Sequence, residues 1–423
     1  MAKSKKVRTS AFNILDASHD EFVQDTQTAL SKIRAARKNQ PTGFKTMHGV
    51  QRAMAPYRDI SFQWLVGSRG ITEGTLMEII GPEGLGKTTL AFWLMGGAML
   101  AGIPCAYQET EGKPITTEWA LRALHSDRKI AQTMLDRIGV YNDVNVLSQM
   151  NTNMVDWAAL LRGTRKSADA QTVPKSTPIL MVVDTMSKIM APGEAAGVVD
   201  YGDLMSEAKK RNKKGVNEGS NLEHAKWHAA WCRRLPHFLA ENNIILILIS
   251  HQTTKVDMTA KPGRSFGGST SGLFNKSKLG GSAINQNAAM QLILAYKGLA
   301  KNSAGEKIGR YVKARCDKNS FGPTGRVMDW ILQDEGLVDT AETVGQGLRF
   351  EETLANFMAD NSYFGTTVSR KRYTCDKIKA EGVTALEFKA LLDADEKATA
   401  ELGALLNIRG YDNVVGDILK QEQ

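Results

Sequence analysis

Leu76-Met77-Glu78-Ile79-Ile80-Gly81-Pro82-Glu83-Gly84-Leu85-Gly86-Lys87-Thr88-Thr89 reads as a short apolar strand, a glycine-rich turn and the start of a helix. Its second half matches the phosphate-loop pattern G-x-x-x-x-G-K-[ST] in the strand, loop and helix context that the chemistry requires. The glycines let backbone N–H groups close around phosphate oxygens, and the helix N-terminus adds a dipole of favourable sign. Gly81, Pro82, Glu83, Gly84, Leu85, Gly86, Lys87, Thr88 and Thr89 are therefore expected to hold a nucleotide. Lys87 is expected on the β and γ phosphates, and the Thr88 hydroxyl on Mg²⁺.

Working outward, short apolar strands are expected at 76–80, 104–108, 144–147, 179–183 and 244–249, with helical segments between them. That alternation predicts an α/β fold with a largely parallel central sheet covered on both faces. Shorter strands at 291–296, 309–314 and 327–331 would extend the sheet as hairpins. The domain reading is an N-terminal helical arm over 1–55, a core over 56–345 and a small C-terminal module over 346–423, helical around 386–392 and 398–406.

Composition narrows the function classes. With 54 Lys and Arg against 45 Asp and Glu, the net charge of +9 permits a polyanionic partner. Cys105, Cys232, Cys316 and Cys375 lie far apart without CxxC spacing, which argues against a zinc module or a disulfide scaffold. The most apolar long segment, 90–104, is too short for an ordinary membrane span and follows the phosphate loop directly. The basic N-terminus precedes no apolar signal core. A cytoplasmic protein with no membrane partner is expected.

Three further strand ends carry polar groups. The run 179–184 ends in Asp184, a carboxylate placed to hold a water on Mg²⁺ beside Thr88. The segment 105–112 offers Glu109 and Glu111 as candidates to orient an attacking water, and the residue pattern does not choose between them. The run 244–249 leads into Ser250-His251-Gln252, where His251 can sense the γ phosphate or serve as an ordinary strand-end histidine.

Two long polar regions leave these strand ends. Residues 191–221 carry Lys209, Lys210, Arg211, Lys213 and Lys214 among several glycines. Residues 253–281 carry Lys255, Lys261, Arg264, Lys276 and Lys278, with Phe266, Gly267, Gly268, Gly280 and Gly281. Cations that neutralise phosphates, glycines that admit a close backbone and aromatic rings that stack on bases suit a nucleic acid. The bland alternative is a pair of solvated insertions.

In this order the motifs resemble those of the RecA-type DNA recombinases, in character closest to recombinases of bacteria and large bacteriophages. The likeness covers more than half the chain, and Gly280-Gly281-Ser282-Ala283 after the second loop is its most specific local feature. It implies a RecA-like ATPase core, ATP and Mg²⁺ as cofactors, and a helical homopolymer on single-stranded DNA that pairs and exchanges strands with a homologous duplex. It favours Glu111 as the base, gives Asp184 the second magnesium role, and makes both basic loops DNA-binding. It puts His251 where the family has an allosteric glutamine. It also implies cations that act on a neighbouring subunit's γ phosphate, with Lys318 the best match, Cys316 in place of another expected lysine, and Arg315 as a substitute. A single-strand-binding or mediator protein is the expected accessory partner, and the setting is a bacterial cell or a phage-infected one. The other readings weighed are a hexameric DNA helicase, for which 1–55 is short as a collar domain, and a non-catalytic ATP-regulated DNA-coating or mediator protein.

Overall fold

The computed structural model describes residues 53–112, 115–142, 147–161, 174, 177–189, 218–253, 277–278, 281–301, 305–333, 348–406 and 408. The chain divides into two compact units, Met1–Arg52 and Ala53–Gln423, and the described residues belong to the second. Of the N-terminal arm expected over 1–55, residues 1–52 lie outside them, and its last residues enter a short strand, Met54–Pro56.

In chain order the first elements are β1 (Met54–Pro56), α1 (Ile60–Val66), β2 (Gly70–Thr72), β3 (Leu76–Gly81), α2 (Lys87–Leu100) and β4 (Cys105–Glu109). They continue with α3 (Thr117–Leu124), α4 (Arg128–Leu135), β5 (Gly139–Tyr141), α5 (Leu147–Leu161), β6 (Ile179–Asp184), α6 (Glu218–Asn242) and β7 (Ile244–Thr253). Then come β8 (Ser277–Lys278), α7 (Gly281–Asn287), β9 (Met290–Lys301), β10 (Lys307–Asn319), β11 (Val327–Gln333) and β12 (Leu348–Arg349). The last are α8 (Glu351–Asp360), β13 (Thr367–Ser369), β14 (Arg372–Cys375), β15 (Ala380–Val383), α9 (Ala385–Ala394) and α10 (Glu396–Leu405).

The large sheet has the order β12-β11-β10-β9-β3-β7-β6-β4-β5, with β8 paired to β7. From β9 to β5 the neighbours are parallel, and from β9 through β12 they are antiparallel. This is the expected α/β sheet with a hairpin extension. The central strands are apolar on both faces because both are covered. Met77, Ile79, Leu180, Val182, Ile245 and Ile247 join the core beneath α2, while Leu76, Met181, Val183, Leu246 and Leu248 join the core beneath α5 and α6. The period of two is the strand's alternation, while the parallel pairing from β9 to β5 sends the carboxyl ends of those strands to one edge.

Of the strand expected at 144–147, Leu147 is a correction, since it begins α5, and 144–146 lie outside the described residues. The edge strand is instead Gly139–Tyr141, paired in parallel with β4. A Cβ at Gly139 would come within 2.8 Å of the Trp157 ring, so the glycine lets α5 pack closely on this strand. Residues 90–104 are likewise no membrane segment; most of α2 is buried against the sheet. No helix among the described residues is long and apolar enough to cross a membrane.

After β12 a third core forms around Leu354, Met358, Tyr373, Phe388, Leu392 and Leu402, with Ile60 of α1 among its members. The expected helices are there, together with α8 and an antiparallel sheet, β13-β14-β15, that was not expected. Asp59 caps α1 by accepting from the Ser61 and Phe62 N–H groups, and its other oxygen lies 3.2 Å from Lys389 Nζ of α9. Lys389 also pairs with Asp393. Burial works against its charge, but the two carboxylates more than offset that and raise its pKa. A raised lysine pKa means stability that is present below the ordinary value and lost as pH rises through the folded one. Lys389→Met strands the buried Asp59 carboxylate, and we expect a loss of about 3 kcal/mol, at the low end for breaking a buried pair. Thermal unfolding measures it; an unchanged midpoint would discount the pair as a tie between α1 and α9.

Candidate active site

The phosphate loop emerges from β3, which lies between β7 and β9 in the sheet. On one side β7 runs parallel, with Gly81 paired to His251. Beyond β9 on the other side, β10 and β11 form a floor: a Cβ at Gly86 would sit 2.7 Å from the Leu332 side chain, and Gly86 holds φ at 71°. Only glycine fits both the space and the backbone there. Lys87 is buried, and its Nζ donates to the Pro82 carbonyl at 2.8 Å across the loop.

Asp184, at the end of β6, accepts from Thr88 Oγ1 at 2.5 Å and from the Tyr107 hydroxyl at 3.0 Å. Burial raises its pKa, and the two hydrogen bonds and the nearby Lys87 charge pull it back down. A buried carboxylate touching a threonine hydroxyl suits a hard divalent cation, which takes few protein oxygens and fills its other positions with water and phosphate. Thr88 and Asp184 therefore fit the expected Mg²⁺. Among the described residues no group of three or more His, Cys, Asp or Glu side chains forms a self-sufficient metal cage.

The two glutamates left open by the residue pattern have different surroundings. Glu109 is turned onto the backbone of its own loop, accepting from the Glu111 N–H at 2.6 Å and the Gly112 N–H at 2.9 Å. It shapes the turn that presents Glu111. Glu111 Oε1 lies 2.5 Å from His251 Nε2, so the candidate base and the candidate sensor meet at the ends of β4 and β7. Both side chains keep some exposure, 11% and 20% respectively, which leaves them accessible to a nucleotide.

The expected cations also have partners within the chain. Cys316 is fully buried, and burial raises its thiol to a pKa of about 12, so it supplies no charge. A register shift between Cys316 and Lys318 turns the strand there. Lys318 Nζ donates to the carbonyls of Asn285 and Gln286 at 2.7 and 2.8 Å, at the end of α7. A cation there suits the negative end of a helix. Arg315 pairs with Asp317 at 2.6 Å.

Most of the loop residues, namely Lys209, Lys210, Arg211, Lys213, Lys214, Lys255, Lys261, Arg264, Phe266, Gly267, Gly268, Lys276 and Gly280, lie outside the described residues. Their flanks correct the expected limits. Residues 218–221 are already helical in α6, and Gly281 begins α7. The second region is closed at its base because Gln252 pairs with Lys278 and Thr253 with Ser277. Thus β7 carries His251 and continues directly into that closure. Sequence reading missed Tyr107 and Arg310; the latter reaches the phosphate loop from β10 and donates to the Gly84 carbonyl at 2.8 Å.

Comparison with curated proteins finds relatives. The chain is 25% identical over 366 residues to Protein RecA of Rhodospirillum centenum, covering 84% of this chain and 86% of that one. It is 23% identical over 288 residues to Protein RecA of Rickettsia africae, covering 68% of each. It is 24% identical over 301 residues to the DNA repair protein recA homolog 3, mitochondrial, of Arabidopsis thaliana, covering 71% of this chain and 56% of that protein. The match thus spans little more than half the length of the Arabidopsis relative. No family model matches the chain.

Proposed function

The chain is related to the RecA-type recombinases, and from that relationship we propose that it is an ATP-dependent homologous recombinase. In this reading it coats single-stranded DNA as a helical filament and exchanges strands with a homologous duplex. The observation that carries it is the convergence of four side chains on one sheet edge. Thr88 follows β3, Glu111 follows β4, Asp184 ends β6 and His251 lies in β7, and they meet as the pairs Thr88–Asp184 and Glu111–His251.

The proposed chemistry is hydrolysis of the β–γ phosphoanhydride. Lys87 and the N–H groups of the loop hold the phosphates, and Glu111 orients the attacking water and takes up its proton. Thr88 and Asp184 would hold Mg²⁺, which neutralises charge on the phosphates when bound. His251 is held by Glu111, and in this reading a γ phosphate that enters the site competes for that hydrogen bond. Because β7 leads into the second basic region, a shift at His251 reaches the DNA-binding segment through one continuous strand. Lys318 and Arg315 are assigned to the neighbouring subunit's nucleotide, which requires each to exchange its present partner when the filament assembles.

DNA-stimulated turnover tests the enzyme half of this proposal. ATP hydrolysis should rise on adding single-stranded DNA, with protein-coated strands visible by electron microscopy only when ATP is present. ATP-dependent coating with no turnover would favour a DNA-coating or mediator protein.

A further inference from the structure

The phosphate loop is held from below by a residue outside its motif. Arg310 stands on β10, paired across the sheet with Leu299 of β9 and Leu332 of β11. Leu332 is the side chain against which Gly86 packs, so the β10–β11 floor touches the loop at two points. At the second point Arg310 Nη1 donates to the Gly84 carbonyl at 2.8 Å. On the other flank Lys87 Nζ holds the Pro82 carbonyl at 2.8 Å.

The consequence follows from the geometry of one peptide unit. The Gly84 carbonyl and the Leu85 N–H belong to the same planar group, and in a trans peptide they point in opposite directions. A guanidinium that fixes the carbonyl on the floor side therefore fixes the Leu85 N–H toward the opposite, phosphate-facing side. A charged donor on the oxygen also polarises the amide and strengthens its N–H as a donor. We infer that Arg310 is a positioning residue for nucleotide binding, acting through the Gly84–Leu85 peptide to aim the Leu85 N–H at a bound phosphate. The inference rests on the nucleotide-binding reading of the loop and adds to it a residue more than two hundred positions away in sequence.

The test is equilibrium binding of ATP and of ADP to the full chain and to Arg310→Ala and Arg310→Lys, with thermal unfolding of each in the absence of nucleotide. Loss of one charge-assisted bond that preorganises a phosphate donor should weaken both nucleotides about tenfold in the alanine variant. The lysine variant keeps a cation that can reach the same carbonyl and should recover most of that loss. The unfolding midpoints without nucleotide should stay together, since the Arg310 contact is partly exposed. Affinity within twofold of wild type in Arg310→Ala would overturn the inference. So would a matching drop in unfolding temperature that Arg310→Lys fails to restore, because the residue would then be structural. A wild type that binds neither nucleotide would overturn both this inference and the reading of the loop.

Discussion

Replacing Glu111 by Gln will reduce DNA-stimulated ATP turnover by about 10² to 10⁴, the range for removing a general base, while leaving nucleotide binding close to wild type. The substitution keeps the side chain's size but removes the charge that faces His251 at 2.5 Å. The same change at Glu109 acts differently. Both Glu109 oxygens accept backbone N–H groups, from Glu111 and Gly112, and an amide offers one oxygen and one N–H where two acceptors are needed. Glu109→Gln should therefore disturb the loop and lower turnover through misplacement of Glu111, with a smaller loss. Single-turnover hydrolysis with preformed ATP complexes separates binding from chemistry. A Glu111→Gln chain that hydrolyses ATP at the wild-type rate would remove Glu111 from the chemistry.

Lys87→Ala is expected to weaken ATP binding by about 10² or more, on the scale of losing a preorganised charged donor in a water-poor site. Lys87 is buried and its ammonium is held across the loop by the Pro82 carbonyl, so the proposed phosphate contact would use a cation already fixed in place. The loss extends to the metal side of the site. Burial raises the Asp184 pKa, and the Lys87 charge opposes that rise, so removing Lys87 makes the ionised carboxylate harder to maintain. Isothermal titration with ATP and Mg²⁺ checks this. Wild-type affinity in the variant would show that the loop does not bind phosphates through Lys87.

These effects were legible in the sequence to different degrees, for physical reasons. The phosphate loop and the strands 76–80, 179–183 and 244–249 were readable because buried parallel strands are unbroken apolar runs and the loop has few chemical solutions. Choosing between Glu109 and Glu111 was not possible from the residues alone. The choice depends on which carboxylate bends back to its own loop N–H groups, and two glutamates spaced by one residue look alike until the turn is built. The edge strand at Gly139–Tyr141 was missed because it is only three residues long and begins with glycine.

The sheet after residue 360 was hidden by its turn. Ser369 pairs with Arg372 across Arg370 and Lys371, whose φ values are 49° and 60°. Two-residue hairpin turns with positive φ usually carry Asn or Gly, and two basic residues give no such signal. Arg310 was unreadable for a different cause. Its contact with Gly84 joins β10 to the loop after β3 across 226 residues, and it depends on sheet order rather than on any local pattern. Cys316 stood at a position where the family likeness calls for a cation. A thiol carries no positive charge, so that role was excluded by the residue type; what the residues did not show is that Cys316 is buried beside a register shift.

The central claim is that the chain exchanges homologous DNA strands under the control of ATP. Incubating it with a circular single strand and a homologous linear duplex, in the presence of ATP and Mg²⁺, tests that claim most directly. The account predicts joint molecules that mature to nicked circles, that require homology, and that vanish when ATP is omitted. ATP-dependent coating of the single strand without joint molecules, even after a single-strand-binding or mediator protein is supplied, would contradict it.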